Sequence, residues 1–387
     1  MKSLKINHFG PIEEVDVELG DITILIGPQA TGKSLFLQFL NLVLDYRSIK
    51  ETITSYGYTL KSQEDLLAHY LGRDLVKSWG PDSEILKNGK NVDIRKFVKS
   101  RPGSAEPNTF YMPAQRVLIM EEGWPRPFQS LTAYPYVVRD FSERLRRLME
   151  TGLGKGKALF PQEGRFKKDI TDKLQSEIFR NTTLKLEKEL KKRLVLEVKG
   201  DSQTTLPIQL WSAGQREFMP LLLGLSYLTP VSKVSSKAKI ETVIIEEIEM
   251  GLHPNAILGV MLAVMELISR GYRVVISTHS LHVVEIIWAI DRIKNSTIAL
   301  NNKIKTFVKR LFNIENLRGD VKKMAERCLD KKYKVFYFDP EQDTGLTISR
   351  DITSLDPSAE DVGISGWGGL SEFSSNIVDV VAGLQRD

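Results

Sequence analysis

Eight consecutive residues, Gly27-Pro28-Gln29-Ala30-Thr31-Gly32-Lys33-Ser34, carry the most specific chemistry in this 387-residue chain. They satisfy the pattern G-x-x-x-x-G-K-[ST], a loop that cradles phosphate. In such a loop, backbone N–H groups converge on an anion. Lys33 would neutralise charge on the β- and γ-phosphates, and the Ser34 hydroxyl would ligate Mg²⁺. A second group is the adjacent pair Glu246 and Glu247. One carboxylate of such a pair can face Mg²⁺ while its neighbour reaches an attacking water, which makes Glu246 the metal ligand and Glu247 the general base. His279 can hydrogen-bond a γ-phosphate and sense whether it is present. Ser212-Ala213-Gly214-Gln215 places small residues ahead of an apolar helix, a second anion cradle.

Each group needs an element to hold it. Asp21-Ile-Thr-Ile-Leu-Ile26 is apolar and β-branched, as a buried strand should be, and Leu35 to Leu44 is an apolar helix free of Gly and Pro. Strand, glycine turn and helix form the context that confirms the phosphate loop. Glu241 to Ile245 reads as a strand that ends at the paired acids, and successive strand residues point to opposite sides. Tyr272 to Ser277 is another strand, ending near His279, and Phe218 to Tyr227 is a strongly apolar helix. Taken singly, Ser212–Gln215 also reads as a helix N-cap and His279 as a structural residue. Their order along the chain, each on a fitting element, favours the chemical reading.

With these residues in place, the chain resembles the ABC-type ATPases. Gly27–Ser34 is similar to their Walker A loop, Ser212–Gln215 to their signature, Glu246 to the Walker B acid and His279 to the switch histidine. The resemblance implies an α/β fold, an ABC-type P-loop head, and two ATP molecules sandwiched in a head-to-tail dimer, with the signature of one subunit closing on the γ-phosphate held by the other. The stretch Glu246-Glu247-Ile248-Glu249-Met250-Gly251-Leu252-His253-Pro254 resembles the EEPExxLHP segment of the OLD (overcoming lysogenisation defect) and RecF/SMC-like branch, not the transporter pattern. Tyr111-Met-Pro113-Ala114-Gln115-Arg116 resembles the YIPAxR segment of that branch, which gives Gln115 the Q-loop role of touching Mg²⁺ and the water. Ile248 stands where that pattern has Pro, and Ala213 where the signature has Gly or Ser. Neither change removes a charged group that the chemistry needs.

The head implied by the resemblance comprises 1–45, 108–120 and 205–300. Between Ser34 and Ser212 lies a longer gap than transporter ATPases carry, so residues 46–107 read as an inserted mixed or helical region and 121–204 as an inserted helical arm, with helices over 136–160 and 166–195. Between Arg139 and Gly200 there are 17 Lys and Arg against 10 Asp and Glu, a net of +7 in a chain whose total is +5. A basic arm can track a phosphate backbone, and no base-reading motif accompanies it. The same charge also reads as a solvated helix face with i,i+4 pairs such as Glu187–Lys191 and Glu189–Arg193.

After His279, 281–294 and 306–330 read as helices, and residues 301–387 as C-terminal helices and a β-hairpin over 333–349 that packs on the head. Many OLD proteins carry a metal-dependent TOPRIM nuclease at this end. Asp339, Glu341 and Asp343 invite that reading as acids after a strand, but Pro340, Asp343 and Gly345 read as turn residues of a hairpin, so the resemblance is to a standalone ATPase without that nuclease. One cysteine, Cys328, argues against a disulfide framework or structural zinc. The absence of a long apolar run or signal-like start predicts a cytoplasmic chain without membrane contact.

The function expected from all this is ATP binding and hydrolysis with Mg²⁺ by a homo-oligomer, at least a dimer, associated with DNA in repair or antiphage defence. The alternative is an ATP-gated sensor or scaffold that holds or releases a separate effector protein.

Overall fold

The chain opens with a hairpin, β1 (Ser3–Phe9) and β2 (Ile12–Glu18), whose buried positions roughly alternate with open ones. The computed structural model describes residues 1–100, 106–151, 158–187, 192–200, 204–230, 239–372 and 376–378. Next comes β3 (Ile22–Ile26), buried along its whole length, and then the long helix α1 (Lys33–Ser55). Helix α2 (Gln63–Tyr70) starts at a reciprocal cap between Ser62 and Asp65. Strands β4 (Trp79–Lys87) and β5 (Lys90–Asn91), helix α3 (Ile94–Lys99) and strand β6 (Thr109–Met112) follow. A short ribbon, β7 (Met120–Glu121) with β8 (Trp124–Pro125), leads to α4 (Tyr136–Thr151) and α5 (Lys168–Leu174). Strands β9 (Thr182–Glu187), β10 (Arg193–Val198) and β11 (Thr205–Pro207) form a separate antiparallel sheet. Then helices and strands alternate: α6 (Ala213–Leu228), β12 (Thr242–Ile245), α7 (Pro254–Ser269), β13 (Arg273–Ser277) and α8 (Leu281–Asn295). Helices α9 (Leu300–Lys305) and α10 (Gly319–Leu329) precede β14 (Tyr333–Pro340), β15 (Thr347–Asp351) and the single turn α11 (Val362–Ser365).

The α/β fold is organised by one ten-stranded sheet in the order β5-β4-β1-β2-β15-β14-β3-β13-β12-β6. Five neighbours, β14, β3, β13, β12 and β6, run parallel, so their carboxyl ends share one edge. Ile26 is level with Tyr337, Leu25 with Ser277, Ile276 with Ile245, and Ile245 with Met112. The side chains of β3, β12 and β6 are buried on both faces, as parallel strands under helices must be. That edge is where open parallel sheets bind ligands. Among the described residues no helix is long and apolar enough to cross a membrane.

The elements differ from the sequence reading in three places. First, the helix expected over 166–195 is α5, a π turn over 175–179, and then the β9–β10 hairpin. Leu174 and Ile178 keep helical spacing, but Leu184 and Leu186, and Leu194 and Leu196, fall at the two-residue strand period. Arg193 therefore faces Glu187 across the hairpin and forms an ion pair with it. Residues 188–191, which include Glu189, Leu190 and Lys191, lie outside the described part, as do 152–157 within the helix expected over 136–160. Second, the helix expected over 306–330 is broken. A π turn over 306–311 ends near Asn313, which has a positive φ, and α10 starts anew at Gly319. Third, the C-terminal hairpin does not pack on the sheet but enters it: β14 is the immediate parallel neighbour of β3. Likewise β4, from the region read as an insertion, pairs with β1.

Candidate nucleotide site

The phosphate loop leaves β3 through Gly27, whose φ is 144°. A Cβ there would stand 2.5 Å from the carbonyl oxygen of Phe338 on β14, so only glycine lets the loop turn this close to its neighbour. Gly32 (φ 85°) starts α1 and would meet Ile12 in the same way, with a Cβ 2.8 Å from its side chain. Pro28, Gln29, Ala30 and Ser34 are exposed, whereas Thr31 and Lys33 are buried. The Lys33 ammonium folds back under the loop and donates to the carbonyls of Gly27 (2.8 Å) and Pro28 (2.6 Å). Thr31 also donates to the Pro28 carbonyl, at 2.9 Å. Burial pushes the Lys33 pKa down to about 8, against the pull of Glu247 and Glu249. A buried cation satisfied only by neutral acceptors, beneath a glycine-rich turn at a helix start, is a site that an anion completes.

Beyond β12 the two acids part company. Glu246 is buried and accepts from the Tyr111 hydroxyl and, at 2.9 Å, from the Ala114 N–H. Burial raises its pKa, and those two hydrogen bonds oppose the rise. Glu247 turns the other way with a φ of 44°, and its carboxylate lies 3.2 Å from Nε2 of His279. The backbone of the pair is clamped by Arg116, which is 1% exposed. Its guanidinium donates to the Glu246 carbonyl at 2.6 Å and to the Glu247 carbonyl at 2.8 Å. Two residues on, Glu249 accepts the His279 backbone N–H at 2.7 Å. Its second oxygen is buried with no partner among the described residues. Burial, and then the charge of Glu247, raise the Glu249 pKa.

Ser212 caps α6. Its hydroxyl accepts from the Gln215 N–H at 3.2 Å, and the Gln215 side chain accepts from the Ser212 N–H at 3.1 Å. Ser212 and Ala213 are exposed. Gly214 packs so tightly on the turn after the acids that a Cβ would stand 2.7 Å from the Gly251 carbonyl. Among the described residues, no hydrogen bond joins 212–215 to the phosphate loop. Gln115 is exposed, just beyond β6, between Ala114, which bonds Glu246, and Arg116.

The structure thus brings Lys33, Glu246, Glu247 and His279 to the carboxyl edge of adjoining strands, leaves Ser212 and Ala213 exposed, and half-buries Gly214 and Gln215, whose side-chain amide donates to the Ile178 carbonyl at 3.1 Å. Tyr111, Arg116 and Glu249 are the supporting residues whose roles the sequence reading missed. The signal was an arginine and a tyrosine in a stretch read for Gln115 alone. For Mg²⁺, no group of three or more His, Cys, Asp or Glu is gathered among the described residues.

Residues 107–285 match a protein family described as "AAA domain, putative AbiEii toxin, Type IV TA system". Over 190 residues, 45% of this chain, the sequence is 28% identical to the "Old nuclease" of Escherichia phage P2, and it spans 30% of that relative's length. Among solved structures, the SMC head domain from Thermotoga maritima is 12% identical over 73% of this chain and 90% of its own, with a TM-score of 0.31. The recombination mediator protein RecF is 14% identical over 72% of this chain and 92% of its own, with a TM-score of 0.33.

Proposed function

We propose that this chain is an ABC-type ATPase of the OLD/RecF/SMC-like branch, similar to the relatives above, which binds ATP at the Gly27–Ser34 loop and hydrolyses it in a site completed by a second copy. The observation that carries the reading is the contact between Glu247 and His279, 3.2 Å, on the strand edge that also holds Lys33. A water between Glu247 and the γ-phosphate would lose its proton to the carboxylate as its oxygen bonds phosphorus and the bond to the β-phosphate oxygen breaks. His279 orients that carboxylate and is placed to hydrogen-bond the γ-phosphate. Arg116 and Glu249 hold the backbone of both groups, so that they enter the reaction already positioned. Ser34 and Glu246 would hold Mg²⁺, which supplies neutralisation of phosphate charge. Gln115, exposed beside them, takes the remaining place near the water.

The Ser212–Gln215 cap, exposed at Ser212 and Ala213, is the reason for a second copy. Its helix N-terminus is suited to a γ-phosphate, and no bond ties it to the loop of its own chain among the described residues. Calorimetry and phosphate release test the assignment together. Lys33→Ala should abolish ATP binding, and affinity equal to wild type would remove the loop from the account.

The task that ATP serves is an ATP-gated scaffold for a separate effector or a DNA-associated role in repair or antiphage defence. Five cations of the arm weigh towards the first. Arg144 pairs with Asp140 (2.7 Å), Arg146 with Glu143 (2.7 Å) and Glu150 (2.6 Å), and Arg147 with Glu143 (3.0 Å). Lys185 pairs with Glu197 and Arg193 with Glu187. Charges engaged in this way offer little to a phosphate backbone. Salt-dependent duplex DNA binding, with and without ATP, decides between the two: weak binding with a shallow salt slope supports the scaffold, and a slope of several phosphates supports DNA.

A further inference from the structure

The second strongly charged feature of the molecule lies at the other end of α7. That helix begins just after the acids and, after roughly 20 Å of rise, ends at a cavity of about 1120 Å³ between the segment 161–172, the end of α7 and the start of α10. The volume suits a ligand of nucleotide size or somewhat larger. Seven Lys and Arg line it against four Asp and Glu.

Some of these charges are spent on structure. Glu266 is fully buried between Lys167 and Arg270, and that triad ties the 161–167 segment to α7. Of the rest, five cations, Arg165, Lys168, Arg318, Lys323 and Arg327, outnumber three carboxylates, Glu163, Asp172 and Asp320. Arg165 is half-buried and its side chain donates only to neutral acceptors, Gln162 and, at 2.8 Å, the Ser226 carbonyl. Arg327 likewise donates to the Ser269 carbonyl, at 3.1 Å. Lys168, Arg318 and Lys323 have no side-chain partner among the described residues. Residue Arg318 precedes α10 without capping it, so the first N–H groups of that helix, at Gly319 and Asp320 on the cavity wall, receive no side-chain oxygen. Desolvation lowers the pKa of Arg165, as expected of a guanidinium with no anion beside it.

The geometry points to a second ligand site here, for a small anion carrying more than one phosphate group, separate from the ATP site and joined to it by α7. Its excess of cations and its concave shape fit a compact polyanion that enters the cavity. Lys168, Arg318, Lys323 and Arg327 are themselves exposed, so a single-stranded nucleic-acid backbone is the rival occupant that the test must separate. The inference is independent of ATP hydrolysis.

Inorganic pyrophosphate is the probe. It is titrated calorimetrically into the full chain with the phosphate loop first saturated by a non-hydrolysable ATP analogue and Mg²⁺. Saturable binding of one pyrophosphate per chain is expected. The double variant Arg318→Glu/Lys323→Glu should lose affinity at least tenfold and leave affinity for the analogue unchanged. Lys322→Glu, on the same helix and outside the cavity lining, should bind pyrophosphate as wild type does. Absence of saturable binding, or equal loss in Lys322→Glu, overturns the proposal. A third result also overturns it: a short single-stranded oligonucleotide that binds in an Arg318/Lys323-dependent way while pyrophosphate does not. Analogue binding is measured in the same experiment, so failure of the cavity and failure of the ATP site are told apart.

Discussion

On the proposed reading, Glu246 and Glu247 decide whether this site does chemistry. Glu247→Gln keeps the shape of the side chain and removes its ability to accept a proton. ATP binding should persist while phosphate release falls by at least a hundredfold, within the range of general-base effects. Glu246→Gln should instead weaken Mg²⁺-dependent binding and loosen the contacts of Tyr111 and Ala114. If the Glu246 variant binds normally and turns over while the Glu247 variant loses metal dependence, the roles are reversed. Lys33 adds a pH signature. With a pKa near 8 in the free protein, it is charged at neutral pH and largely neutral at pH 9. Bound phosphate favours the charged form, so ATP affinity should be level below about pH 8 and fall as pH rises above it. Calorimetry in buffers of different ionisation enthalpy should show proton uptake on binding near pH 9; a flat affinity with no uptake would contradict the burial of Lys33. The sign for folding is opposite. A lysine held below its usual 10.5 costs stability at neutral pH, and the cost is relieved between about 8 and 10.5. The phosphate loop, the acids and His279 were legible in the sequence because their chemistry requires particular residue types at fixed spacing. Tyr111, Arg116 and Glu249 were not, because their role is fixed by neighbours brought from other strands.

At the scale of elements, the contact between α6 and the turn after β12 is the one to test. Gly214→Ala would drive a methyl to 2.7 Å from the Gly251 carbonyl, and neither backbone can yield without moving the turn that carries Glu247 and Glu249. Turnover should fall while ATP binding to the loop, on another strand, stays unchanged. Turnover equal to wild type would mean that the turn is not needed in its present position. Strands β3, β12 and β13 were legible because each is a short apolar run ending at a chemical residue. The β9–β10 hairpin was hidden by its composition. Lys, Glu and Leu are good helix formers, and only the two-residue spacing of Leu184, Leu186, Leu194 and Leu196 marked it as sheet. Position in the sheet was harder still. Nothing local in Tyr333–Phe338 announces that β14 will lie against β3, because parallel pairing is set by the rest of the fold.

At the scale of the molecule, the sheet gathers the candidate residues on one edge by aligning the carboxyl ends of β3, β13, β12 and β6. The signature stays outside, so the account requires two copies arranged head to tail. In a symmetric pair each site then takes its phosphate loop from one chain and its signature from the other. This arrangement has a direct test. Lys33→Ala and Ser212→Arg should each be inactive alone, the first through loss of ATP binding and the second because a bulky cation blocks the opposing γ-phosphate. Mixed in equal amounts, they form mixed dimers in which one site carries both defects and the other carries neither. Phosphate release should then recover to as much as about a quarter of wild type, since half the dimers are mixed and half the sites in each are intact. Activity no greater than the sum of the two variants alone, or full activity of Ser212→Arg by itself, would contradict a site shared between chains.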